Sequence, residues 1–183
     1  MDRIHLKNQL ELYRTPYEEE AEFIVDFIEL TQDPLAFKRE RLEGHFTASA
    51  WIVNKKRTHT LLTLHRKLGR WLQLGGHADG HENLLEVALK EAQEESGLTS
   101  LKLVDETIFD LDKHIIPDRP HVPEHFHFDV RYLIEADINE PLKVSEESIS
   151  LAWIAFDSVV DMIGYNPSIL RMLDKTSKSE ILL

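Results

Sequence analysis

Three carboxylates are spaced along the chain so that a helix would bring them together. Glu91, Glu94 and Glu95 stand three and four residues apart. At about 100° per residue their side chains fall within an arc of roughly 100°. Three like charges this close repel each other unless a cation lies among them, and oxygen ligands alone favour Mg²⁺ or Mn²⁺ over Zn²⁺. The spacing is typical of a divalent-metal site, although an acidic helix face by itself is more often simply solvated.

The surrounding residues predict a helix from about Asn83 to Ser96 that can carry these acids. An apolar stripe lies beside the carboxylates and comprises Leu85, Ala88, Leu89 and Ala92. Such a helix can pack on a sheet through its stripe while its acids face a cleft. Gly97 suits the position just after the helix, where a left-handed backbone is common.

The segment Gly76–Leu98 resembles the Nudix box, G-x5-E-x7-R-E-U-x-E-E-x-G-U, in which U is an aliphatic residue. The matching positions are Gly76, Glu82, Glu91, Ala92, Glu94, Glu95, Gly97 and Leu98. A match at so many fixed positions over 23 residues is far more specific than a lone glycine motif. Lys90 stands where the pattern has arginine, so the charge is kept but the planar guanidinium is lost. We expect Lys90 to pair with Glu86 or Glu94, four residues away on either side.

The resemblance implies a role for each matching residue. Glu91, Glu94 and Glu95 match the residues that bind one or more divalent cations, Mg²⁺ or Mn²⁺, and help to activate water. Gly76 matches the turn where the backbone meets metal and substrate. Glu82 matches an acid that is structural or an outer metal contact.

The implied reaction is hydrolysis of a diphosphate linkage in a nucleoside diphosphate joined to another group, with NDP-sugars or ADP-ribose as leading substrates. Bound metal lowers the pKa of water and neutralises phosphoryl oxygens. A further base is expected from a loop outside the box, where Glu147 and Glu146 are candidates, although such a pair is otherwise a solvated turn. A nucleoside triphosphate or oxidised-nucleotide pyrophosphatase and a non-catalytic nucleotide sensor stay open as alternatives.

Six of the ten histidines lie in two windows, which are His77 and His81 in the box loop and His114, His121, His125 and His127 further along. In an extended strand one face would carry His125, His127, Asp129 and Arg131. This polar face, lining solvent or a cleft, has three interpretations. It could bind substrate, with Arg119 and Arg131 contacting phosphate. It could hold a second metal, since imidazole suits Zn²⁺ and other transition ions, or it could be a structural network.

Three further motifs resemble one Nudix subgroup that carries little substrate information. They are GHFTASA at 44–50, GGHAD at 75–79 and HFHFD at 125–129, corresponding to the patterns GHxTASA, GGHxD and HxHxD. The resemblance thereby covers most of residues 34–160.

Changes in hydrophobic periodicity predict an α+β fold, an α/β/α sandwich that matches the mixed sheet of the Nudix fold. Residues 1–43 are predicted to form a helical N-terminal extension, with a capping box at Thr15–Glu18 and a second helix from Asp33 to Leu42. Residues 44–183 are predicted to form the Nudix hydrolase domain, as one compact unit. Strands are expected at 46–53, 60–65, 101–110, 126–135 and 149–156, and short helices at 158–163 and 168–173.

The net charge of −12, from 21 basic and 33 acidic residues, argues against a protein that tracks nucleic acid. A divalent metal would still let an acidic protein bind an anionic nucleotide. No apolar run approaches the roughly 18 residues of a membrane span, and no signal peptide is visible. The absence of cysteine argues against the isopentenyl diphosphate isomerase branch of the superfamily, which requires one. We expect a cytoplasmic protein with a small nucleotide as its partner, no nucleic acid or membrane, and a homodimer as one option.

Overall fold

The helices and strands of the computed structural model follow the change of period seen along the sequence. The structure describes residues 2–120 and 122–179, so that His121 lies outside the described residues. The helices are α1 (Arg3–Leu12), α2 (Glu18–Leu30), α3 (Leu84–Ser96), α4 (Val159–Ile163) and α5 (Pro167–Ser179), with a 3₁₀ turn at Phe156–Ser158. The strands are β1 (Gly44–Asn54), β2 (His59–His65), β3 (Arg70–Leu72), β4 (Leu74–His77), β5 (Lys102–Leu103), β6 (Asp110–Ile116), β7 (His125–Ala136) and β8 (Ser148–Ala155). None of the described helices is both long and apolar enough to cross a membrane.

The strands form an eight-stranded sheet in the order β3-β2-β1-β7-β5, with β4 beside β1, β6 beside β7 and β8 beside β2. Strand β2 pairs antiparallel with β8, which places Leu61 opposite Trp153. Strand β6 pairs antiparallel with β7, which places His114 opposite His127. Together with the helices this sheet confirms the predicted α+β class.

The chain forms two compact units, each with its own core. The first contains the described residues of Met1–Ser49, Gly75–Ala88 and Asp105–Tyr132, and the second those of Ala50–Leu74, Leu89–Val104 and Leu133–Leu183. In the first unit the ring of Phe27 packs on Phe46 and Phe128, with centroids 6.0 and 5.3 Å apart. The predicted boundary between an extension ending at residue 43 and a hydrolase domain stays a prediction.

The core of the second unit is built around the C-terminal half of α3. Its buried members are Ala50, Ile52, Leu61, Leu74, Ala92, Leu98, Ile134 and Ala136, and Leu89 packs against them. Leu85 and Ala88 are buried as well. The predicted apolar stripe of α3 is therefore confirmed.

Helix α2 is held in the first unit by a buried carboxylate rather than by the predicted capping box. Glu20 is fully buried, and its Oε1 accepts hydrogen bonds from the Tyr13 hydroxyl at 2.6 Å and the Leu111 amide at 2.9 Å. The Thr15 hydroxyl donates to the other carboxylate oxygen. Helix α2 begins at Glu18 with Tyr17 as its N-cap and no side-chain capping bond, so the predicted capping box at Thr15–Glu18 is wrong.

The predicted helix from Asp33 to Leu42 is also wrong, because the described residues 33–43 form turns. The carboxylate of Asp33 accepts hydrogen bonds from the Leu35 amide and from Nε of Arg41, both at 2.8 Å. The hydrogen bond from Arg41 lowers the pKa of Asp33 below its usual value. Local bonds of this kind compete with the helical ladder and favour turns.

The predicted strand at 101–110 is wrong for a similar reason. Within this range Lys102–Leu103 pairs with β7, and Asp110 begins a second pairing with the same strand. Between them the Asp105 carboxylate accepts the Thr107 amide at 2.7 Å and turns the chain. The strand that the pattern did not predict is β6, which starts at Asp110.

Arg131 lies in a buried ion cluster on β7, with only 3% of its side chain exposed. Its Nε donates to Asp129 at 2.8 Å, and its Nη1 and Nη2 lie 3.1 Å from carboxylate oxygens of Asp110 and Asp112. Burial disfavours the charge, but the carboxylates of Asp112, Asp129 and Asp110 outweigh burial and raise the pKa of Arg131 above its ordinary value. The guanidinium therefore stays charged inside the fold.

Replacing Arg131 by alanine is expected to destabilise the protein by about 3–5 kcal/mol, because the carboxylates around it would remain buried without their cation. Urea unfolding followed by circular dichroism measures this loss. Arg119→Ala is the matched control: Arg119 is exposed, so its removal is expected to change stability by less than about 0.5 kcal/mol. Equal effects of the two substitutions would contradict the structural role of Arg131.

Candidate metal centre

The ends of α3 are fixed by local contacts that the sequence supplies. The Asn83 side-chain oxygen accepts the Glu86 amide at 3.3 Å, as an N-cap does. Gly97 ends the helix with φ of 72°, and its amide donates to the Gln93 carbonyl at 2.8 Å. A side chain at Gly97 would also place its Cβ 2.7 Å from Cβ of Lys143, so both the backbone angle and the space require glycine.

The three acids of α3 differ in their exposure to solvent. Glu95 is 8% exposed, the Glu91 side chain is 21% exposed and the Glu94 side chain is 59% exposed. Burial raises the pKa of Glu91 above its usual value; the charges of Glu94 and Glu147 add to this, while Lys90 opposes it. A divalent cation among these carboxylates would reverse that cost, because it stabilises the ionised form.

Lys90 occupies the position at which the Nudix pattern has arginine. Its Nζ lies 2.9 Å from Oε2 of Glu94, one of the two predicted partners, and 3.4 Å from Oε1 of Glu91. The hydrogen bond to Glu94 contributes most to raising the pKa of Lys90. With 62% of its side chain exposed, Lys90 reduces the repulsion between these acids from the solvent side.

The segment that carries Glu147 is fastened to β2 and β8 by Arg66. The Arg66 amide donates to the Glu147 carbonyl, and Nε of Arg66 to the Glu146 carbonyl, each at 2.9 Å. A second guanidinium nitrogen donates to the Ser148 carbonyl at 2.8 Å. The exposed carboxylate of Glu147 is thereby held where its charge acts on Glu91. In the second unit the predicted base and the predicted metal ligand Glu91 thus share one electrostatic environment.

The glycine pair before the box loop allows β4 to approach β1 closely. A Cβ at Gly75 would lie 2.6 Å from the Ala48 carbonyl oxygen and would also collide with the Ser49 side chain. Gly76 follows on the same strand and is half-buried. The first motif acid, Glu82, is paired with α1, since Nη2 of Arg3 lies 2.9 Å from its Oε1.

The structure places the other predicted residues in the first unit. Its histidine cluster is made of His45, His77, His114, His125 and His127, whose neighbouring ring centroids lie 4.8–5.5 Å apart. His81 lies 3.5 Å from Glu86 instead. Arg119 is exposed beside an isolated bridge to Val122, whereas Arg131 is buried among carboxylates.

The sequence did not identify Arg3, the partner of Glu82, or His45, a member of the histidine cluster, as part of a site. Arg3 is 79 residues from Glu82, and no local pattern connects them. His45 stood in the GHxTASA motif, which was a signal for the cluster, but its neighbours come from other strands.

Comparison with known proteins shows the family of this chain. The sequence model of the NUDIX domain matches residues 44–175. No curated protein matches the sequence significantly. The structure resembles that of a C. elegans Ap4A hydrolase in a binary complex, with 15% identity, a TM-score of 0.60 and coverage of 75% of this chain and 98% of that one.

Two further structures share the fold. A NUDIX-family hydrolase from Clostridium perfringens is 23% identical, with a TM-score of 0.58 and coverage of 74% of this chain and 97% of that one. The NUDIX domain of Shewanella oneidensis NrtR, complexed with ADP ribose, is 16% identical, with a TM-score of 0.55 and coverage of 88% and 98%.

The matched region spans more than two thirds of the chain, and the box acids stand together on α3. The chain therefore belongs to the NUDIX domain family. Its enzyme class is that of a Nudix-type pyrophosphohydrolase.

Glu91→Gln is expected to raise the melting temperature of the metal-free protein at pH 7 by about 2–4 °C, the shift that about 1 kcal/mol produces in a chain of this size. The reason is that a carboxyl with a raised folded-state pKa destabilises the fold once it is ionised. The gain should fade as the pH falls toward 4.5, the ordinary value for glutamate, and be absent below it, because Glu91 is then protonated in both states.

Scanning calorimetry with and without Mg²⁺ measures both effects, since the same variant should lose stabilisation by Mg²⁺. Glu86→Gln is the control, because Glu86 is an exposed acid on the same helix. A fall in melting temperature for Glu91→Gln alone would show that its carboxylate stabilises the metal-free fold.

Proposed function

We propose that the protein hydrolyses a diphosphate linkage in a nucleoside diphosphate joined to another group, of NDP-sugar or ADP-ribose type, with Mg²⁺ or Mn²⁺. The observation that carries this proposal is the set of acids on α3, in which burial and neighbouring charge raise the pKa of Glu91. The NUDIX domain complexed with ADP ribose and the Ap4A hydrolase have this fold, and the names of both point to adenosine linked through phosphates.

Glu91, Glu94 and Glu95 are proposed to hold the cation. Their donor set is oxygen alone, which fits Mg²⁺ or Mn²⁺. The bound cation would lower the pKa of a water and neutralise phosphoryl oxygens. The backbone contact predicted for Gly76 and the structural or outer-contact role predicted for Glu82 stay predictions.

Glu147 is proposed as the general base. Its carboxylate would accept a proton from the attacking water, whose oxygen forms a bond to one phosphorus while the bond from that phosphorus to the bridging oxygen breaks. The products are a nucleoside monophosphate and the phosphorylated second group. The anchoring of this segment by Arg66 supports the assignment, since a base must be held in place for proton transfer.

Arg119 is proposed to contact substrate phosphate, because its guanidinium is exposed and the cationic fork suits phosphate oxygens. For Arg131 we propose a purely structural role, since carboxylates surround its guanidinium and 3% of its side chain is exposed. Homodimerisation and a cytoplasmic location stay predictions.

The function is tested by product identification with Mg²⁺ or Mn²⁺ over NDP-sugars, ADP-ribose, dinucleoside polyphosphates and nucleoside triphosphates. Release of a nucleoside monophosphate from an NDP-sugar or ADP-ribose is the expected result. Turnover of triphosphates alone would favour the nucleoside triphosphate or oxidised-nucleotide pyrophosphatase. Nucleotide binding without any turnover would favour a non-catalytic nucleotide sensor over an enzyme.

Glu94→Gln is expected to lower kcat by more than about 100-fold, because losing even a group that supports a metal ligand costs 10–100-fold. Its melting temperature without metal should change little, since most of the side chain is solvated. Activity assays at saturating Mg²⁺ and calorimetry check the two parts. Retained activity would show that the cation is held elsewhere.

Glu147→Gln is expected to lower kcat by about 10²–10⁴-fold, the usual contribution of a general base. It should also remove the acid limb of the pH–rate profile while leaving Mg²⁺ affinity nearly unchanged. Glu146→Gln is the matched control, since Glu146 is an exposed glutamate next to Glu147 on the same segment. The assignment fails if the two variants behave alike.

A further inference from the structure

The histidine cluster of the first unit is centred on His127. The ring of His127 lies 4.8 Å from that of His77, 5.1 Å from His45, 5.2 Å from His125 and 5.5 Å from His114, between centroids. His45 lies on β1, His77 on β4, and His125 and His127 on β7, while His114 lies on β6; β1 has β4 and β7 as neighbours in the sheet, and β6 pairs with β7. The imidazoles are therefore held by strands rather than by mobile loops.

Three rings of the cluster, one of which (His45) belongs to the site proposed below, have an Nδ1 atom that faces a hydrogen-bond partner. Nδ1 of His45 lies 3.3 Å from the Arg41 carbonyl, and Nδ1 of His125 lies 2.8 Å from the Pro123 carbonyl. A carbonyl oxygen only accepts, so both Nδ1 atoms carry the proton and both Nε2 atoms keep a free lone pair. Nδ1 of His114 likewise faces Asp112 at 2.9 Å. Carbonyl and carboxylate partners of this kind set the tautomer of histidine ligands.

Buried nitrogen atoms in the cluster lack hydrogen-bond partners. Among the described residues, none pairs with Nε2 of His45 or Nε2 of His127, although both atoms are buried. Leaving a buried polar atom unsatisfied costs about 1–3 kcal/mol, so such an atom in a native fold requires an explanation. A bound cation would provide a partner for both atoms at once.

Burial disfavours a charge on three members of the cluster. It lowers the pKa of His127 to about 2 and that of His77 to about 4, and it also lowers the pKa of His45. Imidazole nitrogen is a donor that suits Zn²⁺ and other transition ions. A purely structural network would instead be expected to hydrogen-bond its buried nitrogens.

We propose that His45, His77 and His127 bind one transition-metal ion, with Zn²⁺ as the best fit. This site shares no residue with the acids of α3. One ligand atom from each lies within 4.8 Å of the others. Nitrogens bound to zinc at about 2.0–2.1 Å lie roughly 3.3–3.6 Å apart, so a closure of about 1 Å forms the site. Three protein ligands leave a fourth position for water or a ligand group.

The site is tested by titrating chelator-stripped protein with Co²⁺ in a large excess of Mg²⁺. The excess Mg²⁺ occupies oxygen sites but competes poorly for imidazole. One equivalent of Co²⁺ should bind with the visible absorption of a nitrogen-rich, four-coordinate ion, and Zn²⁺ should displace it. His127→Gln and His77→Gln should each weaken binding by at least about 10–100-fold.

Two controls separate this site from the acids and from surface histidines. Glu94→Gln and His59→Gln should keep Co²⁺ binding unchanged, since Glu94 belongs to the oxygen set and His59 stands outside the cluster. Failure of the hydrolase assay would not affect this readout. Retention of Co²⁺ by both cluster variants, its loss in Glu94→Gln, or no binding in excess Mg²⁺ would overturn the proposal.

Zinc-edge X-ray absorption of the wild-type protein tests the same site without a substitution, in case a cluster variant fails to fold. Three nitrogen neighbours at about 2.0–2.1 Å with imidazole outer-shell scattering are expected. A shell of oxygen neighbours alone would contradict the site.

Discussion

The buried charge of Arg131 sets the register of three strands in the first unit. Its guanidinium joins Asp129 on β7 to Asp110 and Asp112 on β6. Asp129 in turn accepts hydrogen bonds from Thr47 and Ser49 of β1, at 3.0 and 2.9 Å. A slip of one residue in any of these strands would turn the polar side chains to the other face and leave buried charges unpaired.

The histidine cluster lies on the same faces, one step further along each strand. His45 is two residues before Thr47, His127 two before Asp129 and His114 two after Asp112, and residues two apart in a strand share a face. Asp112 connects the two groups directly, since its Oδ2 lies 3.1 Å from Arg131 and 2.9 Å from Nδ1 of His114. The ion cluster thus fixes the register of the strands that carry these histidines.

Sequence periodicity predicted the structural features that depend on residues close together in the chain. It missed the features that depend on contacts between residues far apart in the chain. The length of α3, its apolar stripe and the shared face of His127, Asp129 and Arg131 all follow from a fixed repeat. That the face of Asp129 and Arg131 is buried depends on the pairing of β7 with β6, a strand the pattern did not predict. The pair of Arg3 with Glu82 likewise spans 79 residues, beyond any local signal.

Local side-chain chemistry explains the remaining errors. Asp33 and Asp105 each accept a backbone amide two residues on, at 2.8 and 2.7 Å, and each interrupts an element that hydrophobic spacing alone favoured. Aspartate offers the backbone an alternative partner in this way wherever packing does not decide. Asp105 lies in an exposed segment, whereas beside Asp33 the turns themselves bury the apolar side chains of Ala36 and Phe37.

The acids of α3 and the histidine cluster differ in their donor atoms, and the type of donor atom selects the metal. The acids of α3 are charged oxygens, partly solvated, and suit a hard cation that keeps several waters. The histidines offer imidazole nitrogens, of which Nε2 of His45 and Nε2 of His127 are buried, and suit a softer ion that sheds its water. Zn²⁺ binds most donor sets more tightly than Mg²⁺ does, so the acids alone would not exclude it when zinc is present. A tight imidazole site would bind zinc first, and the acids would then remain available to Mg²⁺.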